Sequence, residues 1–201
     1  EGFGRLLHHR RSSVMSLIPL GFWAASAGGA AGAFDLLETT TLTSSASSVT
    51  FSGLDAYSDY KHLQIRYIVR NASTGFYRDI RFTLNGDTGA NYSSHKLTGN
   101  GSTIASSALT SRNQIDGGVI PDNNLVANSF AAGIFDLLDF ANDSKAKTSR
   151  MLMGFTDTTY PHIQLTSGRW GSTAAVTSIN ILNDGSQNFI TGSRFSLYGV
   201  K

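Results

Sequence analysis

Cysteine is absent from this chain of 201 residues. Its absence excludes disulfide bonds, thiolate nucleophiles and zinc sites built on thiolates. Glutamate is scarce as well, because only Glu1 and Glu38 are glutamates among the 14 acidic residues, whereas glycine, serine, threonine and asparagine are abundant. This composition disfavours helices, since glycine costs about 1 kcal/mol in a helix interior and serine, asparagine and aspartate compete for backbone hydrogen bonds.

Net charge is missing from most of the chain. Residues 34–201 hold thirteen Lys/Arg and thirteen Asp/Glu, so the net charge of +2 lies in residues 1–14, which contain Arg5, Arg10, Arg11 and Glu1. A neutral body argues against nucleic-acid binding, whose affinity comes mainly from phosphate neutralisation by Lys and Arg. The basic lead is interpreted either as a solvated or protein-contacting tail or as a contact for nucleic acid or anionic lipid.

The first 33 residues differ in composition from the rest. After the basic lead, residues 15–33 form an uncharged tract of mostly small residues, with large apolar side chains at Leu17, Ile18, Leu20, Phe22 and Trp23. Such a segment cannot build a core of its own. We therefore interpret residues 1–33 as an extended arm that docks through these five side chains into other proteins. Residues 34–201 are enough for a single domain with its own core.

Other interpretations of the arm stay open at this point. A charged start, an apolar centre and small residues at 25–27 or 31–33 also fit a secretory signal. Pro19 and Gly21 interrupt the apolar stretch, and the tract is too short and too weakly apolar to predict a membrane span. Packing of the arm onto its own domain is a third interpretation, and the sequence leaves open whether Met15 is the conventional start.

From residue 34 onward, short alternating runs predict β-strands. In residues 61–70, Leu63, Ile65, Tyr67 and Val69 share one face, which is typical of a half-buried strand. Residues 129–140 are more continuously apolar, as in a central strand, although their length also fits a helix. The same period of two appears at five further places: Ile80, Phe82 and Leu84; Met151, Met153 and Phe155; Ile163 and Leu165; Thr177, Ile179 and Ile181; Phe195 and Leu197.

Turn dipeptides separate these runs at 85–86, 100–101 and 184–185, where Asn-Gly or Asp-Gly tolerates a positive φ. About eight to ten strands at this spacing predict an all-β fold, an antiparallel β-sandwich of the jelly-roll type. Residues 103–128 are polar, nearly uncharged and contain Pro121. We interpret them as one long loop, either functional or ordered by a neighbour.

Six motifs carry a family resemblance: FDLLE at 34–38, YKHLQIR at 60–66, RFTLNGDTGANYS at 81–93, FDLLDFAN at 135–142, SGRW at 167–170 and FSLYGVK at 195–201. Their succession resembles tailed-bacteriophage virion proteins found in marine and cyanobacterial phages, often described only as structural or tail-fibre-like. The segment IPLGFWAAS at 18–26 is similar to a leader of some members. The resemblance implies a component of the phage particle, without fixing a position in head or tail.

Catalytic patterns are weak. The sequence holds no nucleophile elbow Gly-x-Ser-x-Gly, no His-Glu-x-x-His and no phosphate-binding Gly-x-x-x-x-Gly-Lys. His62, His95 and His162 are each more typical of surface or edge positions than of a catalytic base. Asp136 and Asp139 lie three apart on a predicted strand, so they point to opposite faces and make a poor glycosidase pair. We predict that the protein is not an enzyme and uses no cofactor.

Residues 85–91, Asn-Gly-Asp-Thr-Gly-Ala-Asn, offer oxygen ligands that suit Ca²⁺. They lack the alternating pattern and the terminal glutamate of an EF-hand loop, so we favour a hydrogen-bonded turn and predict no metal site.

Aromatic residues near the predicted loops are candidates for stacking on sugars. Arg169 beside Trp170 is the pair singled out as a glycan contact, because it joins a planar cation to the largest aromatic surface. Trp170 follows a strand pattern, and packing in the core is the favoured interpretation of its side chain. The full set of loop-proximal aromatic residues is Tyr57, Tyr60, Phe76, Tyr77, Tyr92, Tyr160 and Trp170.

Together these observations predict a non-enzymatic structural protein of a bacteriophage virion, a capsid-decorating or tail-fibre β-sandwich on the particle surface. Its partners are other virion proteins, reached through the arm, and further copies of itself. A trimer is the first expectation, by analogy with phage decoration and fibre modules. The alternative is a receptor-binding or glycan-binding adhesion module of the phage tail. In both cases the body is expected not to bind nucleic acid.

Overall fold

The computed structural model describes residues 32–75, 77–158 and 160–201. The arm, with Leu17, Ile18, Leu20, Phe22 and Trp23, therefore lies outside the described residues except for its last two positions. No helix within these ranges is long and apolar enough to cross a membrane. The regular secondary structure of the described chain is almost entirely strand, as the scarcity of good helix formers predicts.

Twelve strands lie within the described ranges, joined by turns and by two short 3-10 segments, Leu54–Tyr57 and Asp184–Ser186. In chain order the strands are β1 (Phe34–Thr41), β2 (Ser48–Ser52), β3 (His62–Val69), β4 (Tyr77–Leu84), β5 (Tyr92–Gly99), β6 (Ile104–Arg112), β7 (Ile115–Pro121), β8 (Ala131–Leu138), β9 (Lys147–Phe155), β10 (His162–Trp170), β11 (Ser178–Asn183) and β12 (Arg194–Val200).

These strands form two antiparallel sheets of unequal size. The large sheet has the order β1-β12-β3-β8-β9-β10-β5-β6, and the small sheet has the order β2-β11-β4-β7. The two sheets pack as a sandwich around a single hydrophobic core, in which Phe82 of β4 stacks on Phe135 of β8 with ring centroids 4.2 Å apart. The predicted sandwich is confirmed, and β8 is a central strand rather than a helix.

Most of the predicted strand faces are confirmed as well. The inward sets of β3, β4, β9 and β12 are buried, and in β11 Ile179 and Ile181 are buried while Thr177 lies just before the strand and is exposed. Side chains alternate between the two faces of a strand, so one inward set per strand is what a two-sheet core requires.

The loop predicted at residues 103–128 is wrong, because β6 and β7 occupy most of this segment. β6 is the edge strand of the large sheet, and its serine, alanine and threonine side chains are mostly exposed, so it has no apolar alternation. β7 is an edge strand of the small sheet. Its pairing with β4 is shifted between Asp79 and Arg81, opposite Gly117 and Gly118. Gly118 has a φ of +87°, and this bulge breaks the period of two.

The loop that does occur in this region runs from residue 122 to residue 130 and is organised by Arg70. The Arg70 side chain is buried and donates hydrogen bonds to the carbonyl oxygens of Asp122, Leu125, Val126 and Ser129, at 2.6–3.0 Å. A single guanidinium thus satisfies four backbone acceptors of this loop.

Strand β10 has the predicted period but the opposite orientation. Ile163 and Leu165 share one face, and this face is exposed, with 57% and 53% of their surfaces accessible. Gln164 and Thr166 point toward the small sheet instead and are buried. Their burial is possible because Gln164 Nε2 donates a hydrogen bond to Thr166 Oγ1 at 2.8 Å. This inversion leaves aliphatic side chains on the outside of the large sheet.

Candidate functional site

The outer face of the large sheet, which points away from the small sheet, carries an exposed apolar surface. Seven aliphatic side chains from β3, β5, β6, β8, β9 and β10 form it, and each keeps between 39% and 81% of its surface accessible. We call these residues the outer apolar patch: Ile68, Leu97, Ile104, Ile134, Leu152, Ile163 and Leu165.

Strand register arranges the outer apolar patch in two rows. In the first row, Ile134 pairs with Leu152, Leu152 with Leu165, and Leu165 with Leu97. Directly opposite residues on one face have Cβ atoms roughly 4.5–5.5 Å apart, so this row is continuous across four strands. In the second row, Ile163 lies between Gly154 and Gly99, and Gly99 pairs with Ile104.

Two shallow depressions accompany these rows. One, of about 180 Å³, lies among side chains of β5, β9 and β10 and is bordered by Ile104. The other, of about 790 Å³, lies over β3, β8, β9, β10 and β12. Gly99 and Gly154 have no side chains to fill the space on either side of Ile163. The outer apolar patch is therefore recessed in places.

Paired charges and aromatic rings border the outer apolar patch. The Arg66 guanidinium lies over the rings of Tyr198 and Phe34, with centroid distances of 4.5 and 5.1 Å. On the next row of the sheet, Asp136 Oδ2 accepts a hydrogen bond from Arg150 Nε at 2.7 Å. Many protein–protein interfaces share this composition, an apolar centre with arginine and aromatic residues at its margin.

A second candidate surface lies where the large sheet extends beyond β7, the edge strand of the small sheet. Here side chains of β4, β5, β7 and β10 and the turn before β10 enclose a cleft of about 510 Å³. Tyr77 and Tyr160 form one wall, with ring centroids 6.3 Å apart and an interplanar angle of 65°. Both rings remain partly exposed, at 49% and 37%. We call this surface the polar cleft.

The remainder of the polar cleft includes charged and polar groups of the inner face of β5 and β10. Lys96 Nζ lies 2.9 Å from Oδ2 of the buried Asp116. Burial opposes ionisation of Asp116, but the hydrogen bonds from Lys96 Nζ and from Gly118 N outweigh it and hold the pKa of this carboxyl below its ordinary value. The ammonium and the carboxylate therefore neutralise each other within the cleft at neutral pH.

Two polar atoms among the residues that line the cleft lack a hydrogen-bond partner within the described part of the chain. They are Oε1 of Gln164 and Nε2 of His162, and both are buried. The two side chains lie close enough to interact: burial lowers the pKa of His162, and the hydrogen-bonding contact with the Gln164 side chain only partly opposes this effect, so the imidazole is neutral at pH 7. Buried polar atoms are nearly always hydrogen-bonded, so these two atoms indicate a place for water or for a ligand hydroxyl.

Trp170 lies in the core, at the end of β10. It is 3% exposed, stacks on Tyr92 at 6.3 Å, and donates a hydrogen bond from Nε1 to Asp87 Oδ2 at 2.6 Å. Arg169 lies on the opposite face of β10 and is exposed. Arg169 and Trp170 therefore form no common surface, and the favoured interpretation of Trp170 as a core residue agrees with its position.

Residues 85–91 form the hydrogen-bonded turn that the sequence favours. The carboxylate of Asp87 accepts hydrogen bonds from Trp170 Nε1, from Asn91 Nδ2 at 2.9 Å and from the Gly89 N–H at 2.8 Å. These bonds, that of Trp170 first, lower the pKa of Asp87. Within the described ranges, no cluster of histidine and acidic side chains is arranged to hold a metal ion.

The candidate acidic and histidine residues also have separate partners. Asp136 lies in the polar row beside the outer apolar patch, whereas Asp139 follows β8 and pairs with Lys145 at 3.3 Å. His62 Nδ1 accepts a hydrogen bond from the Asp139 N–H at 3.0 Å. His95 is exposed on the outer face of β5. His62 Nδ1 also lies 3.6 Å from Asp139 Oδ1, so these two side chains meet, whereas Asp136 and His95 have other surroundings.

Sequence reasoning included Tyr77 and Tyr160 among many aromatic residues but did not pair them. The two lie more than eighty positions apart, and only the packing of β4 beside the turn before β10 brings their rings together.

Comparisons of the chain with protein-family models, with curated proteins and with solved structures found no match.

Proposed function

We propose that this protein is a non-enzymatic structural component of a bacteriophage virion, displayed on the particle surface and anchored through its arm. The outer apolar patch is the observation that carries the structural role. The family resemblance of residues 34–201 supports the assignment to a phage particle. The candidate catalytic side chains engage in separate structural contacts, which supports a role in assembly rather than in catalysis.

The outer apolar patch is large for a surface that faces only water. Contiguous exposed apolar patches on monomeric proteins rarely exceed a few hundred Å², and larger ones mark interaction sites. Seven aliphatic side chains, which each keep between 39% and 81% of their surface accessible, together reach roughly that size. Burying one such side chain completely contributes roughly 1.5–3 kcal/mol, so covering the patch offers several kcal/mol to an association.

A second copy of the chain is the occupant that we propose for the patch. The six strands span roughly 25 Å at about 4.8 Å per strand, which is close to the width of a standard interface of about 800 Å² per partner. Two copies related by a two-fold axis present identical apolar rows to each other, and stacked sheets pack well at about 10 Å. The trimer expected by analogy stays a prediction, and a two-fold contact is compatible with a dimer or with a larger assembly.

Light scattering on the full-length protein tests this interface. We expect the wild type to be oligomeric and Leu152→Glu to be monomeric, because Leu152 lies between Ile134 and Leu165 in the centre of the patch. Thr50→Glu is the matched control, since Thr50 is exposed on the outer side of the small sheet. Circular dichroism verifies that both variants keep the β fold. A monomeric wild type, or a Leu152→Glu variant that associates as the wild type does, would overturn the proposed interface.

Particle incorporation tests the virion role and the anchor. We expect the protein in purified phage particles, and we expect a variant lacking residues 1–33 to fold but to be absent from them. Each large apolar side chain of the arm buried against a partner contributes roughly 1.5–3 kcal/mol before ordering costs. Incorporation of the truncated protein at the normal level would contradict anchoring by the arm. Absence of the wild-type protein from purified particles would contradict the virion role.

The alternative function, receptor or glycan binding, is favoured by a different observation. The polar cleft lies on the inner side of the large sheet, and it meets the larger outer depression at Phe155 and His162. The two functions are compatible, because a protein held on a particle through one surface remains able to bind a ligand at another.

A further inference from the structure

We propose that the polar cleft is a binding site for a neutral saccharide. The proposal goes beyond the structural role, and it places any glycan recognition at Tyr77, Tyr160, His162 and Gln164 rather than at Arg169 and Trp170.

The size and the wall of the polar cleft fit a sugar ring. Its volume of about 510 Å³ falls within the range of roughly 300–1,000 Å³ typical of small-molecule sites. Tyr77 and Tyr160 present partly exposed rings, inclined at 65° to each other. Aromatic rings provide rigid apolar surface for the C–H faces of a pyranose, and a tyrosine hydroxyl adds a polar edge.

The polar groups match hydroxyl chemistry. Gln164 is 1% exposed, and its Nε2 is fixed by Thr166 Oγ1, while Oε1 lacks a partner among the described residues. His162 Nε2 likewise forms no hydrogen bond of normal geometry within the described chain, although the imidazole interacts with the Gln164 side chain. A sugar hydroxyl is both a donor and an acceptor, so it can satisfy the glutamine oxygen and either tautomer of the neutral imidazole.

The charges of the cleft favour a neutral ligand over an anionic one. Among the described residues that line the cleft, Lys96 is the one lysine or arginine, and its ammonium is paired with Asp116 at 2.9 Å. An incoming carboxylate or sulfate would have to compete with this buried carboxylate for the ammonium. A neutral ligand leaves the ion pair intact. It only has to replace the water molecules that are hydrogen-bonded to the other polar groups of the cleft.

The rim of the cleft is preorganised. Asn100 Oδ1 accepts hydrogen bonds from the backbone N–H groups of Ser102 and Thr103 at 3.1 and 2.8 Å, and both of their hydroxyls also donate to it. Gly101 has a φ of +87°, and Pro161 packs so closely against it that a side chain there would clash. A rim that is already ordered lowers the conformational entropy lost when a ligand binds.

Ligand-observed NMR and isothermal titration calorimetry on the full-length protein test the proposal. The probes are the methyl glycosides of glucose, galactose, mannose and N-acetylglucosamine, with galacturonic acid as the anionic comparison. We expect at least one neutral probe to bind and Tyr77→Ala and Tyr160→Ala each to weaken that binding about tenfold. Tyr160→Phe should keep most of the affinity, because it keeps the ring.

Two further variants complete the design. Gln164→Met removes the amide oxygen at similar volume and should weaken binding about tenfold. Phe34→Ala is the matched control, since Phe34 is an aromatic residue of similar exposure, 44%, on strand β1. Thermal unfolding is measured for each variant. If Gln164→Met fails to fold, the sugar affinities of Tyr77→Ala and Tyr160→Ala decide the result.

Three outcomes would overturn the proposal. No binding by any neutral probe would mean that the cleft holds water only, and preference for galacturonic acid would refute the neutral class. Binding that survives both tyrosine truncations would place the ligand elsewhere. Because Leu152 points to the outer face and does not line the polar cleft, Leu152→Glu should bind the sugar normally, so failure of this proposal and failure of the outer interface are distinguishable.

Discussion

Replacing Trp170 tests the assignment of this residue to the core. Its side chain is 3% exposed, and removing a buried aromatic side chain of this size costs about 3–5 kcal/mol. Trp170→Phe keeps part of the ring contact with Tyr92 but removes the hydrogen bond to Asp87. Hydrogen bonds to charged groups contribute about 1.5–3 kcal/mol to stability. The lower end applies here, because Asp87 is only half-buried and its carboxylate can bind water once the indole is gone.

Thermal unfolding followed by circular dichroism measures both changes. One kcal/mol shifts Tm by about 2–4 °C in a domain of 150–250 residues, so Trp170→Ala should lower Tm by about 10 °C and Trp170→Phe by about 4 °C. Arg169→Ala is the matched control, because Arg169 is exposed on the other face of the same strand. A Tm for Trp170→Ala within about 2 °C of the wild type would refute the placement of Trp170 in the core.

The pH dependence of stability gives an independent check on the same contact. The pKa of Asp87 is lowered in the folded protein, chiefly by the hydrogen bond from Trp170 Nε1. The resulting stability is present above the unfolded pKa of about 3.9 and is lost as the pH falls through the folded pKa. Trp170→Phe should therefore lose less stability than the wild type between neutral pH and this acidic range. Parallel pH profiles for the two proteins would contradict this origin of the pKa shift.

Three further predictions concern other parts of the molecule. Gly133→Ala should destabilise the fold by about 1–3 kcal/mol in urea titration, because the new Cβ would clash with the ring of Tyr67, whereas Ala132→Ser on the exposed face should be neutral. Arg70→Met should cost at least about 3 kcal/mol and make residues 122–129 sensitive to proteases, because four carbonyl oxygens lose their donor, and an unchanged cleavage pattern would contradict this. The protein without residues 1–33 should bind duplex DNA poorly even at low salt, and a steeply salt-dependent affinity would contradict the argument from its neutral charge.

The sandwich was predictable because most of its core strands show a period of two. In β3, alternate large apolar residues identify both the strand and its buried face, and β4 and β9 follow the same rule. The turn at residues 85–86 was predictable from Asn-Gly, and both of its residues have a positive φ. These are features in which local chemistry and the overall fold agree.

Edge strands and inverted faces were not predictable from local pattern. β6 lies at an edge and mostly faces solvent, so no apolar period distinguishes it from a polar loop. The alternation in β10 gives the strand but not which side faces the core, because an apolar face exposed on a single chain looks like a core face in the sequence. The polar cleft depends on residues far apart in sequence, whose meeting is a property of the packed sheets.

The pairing of β1 with β12 brings the two ends of the sandwich side by side, with Phe34 opposite Val200. A mechanical load applied between these ends pulls the two strands apart at that point, parallel to the hydrogen bonds that join them. Bonds loaded in this direction break one pair at a time, like a zipper, while the other strands of the large sheet bear no tension. A load that enters at the N-terminal end and leaves through a loop at the far end of the sheet would instead shear several bonds at once. The sandwich should therefore resist force very differently according to where it is held.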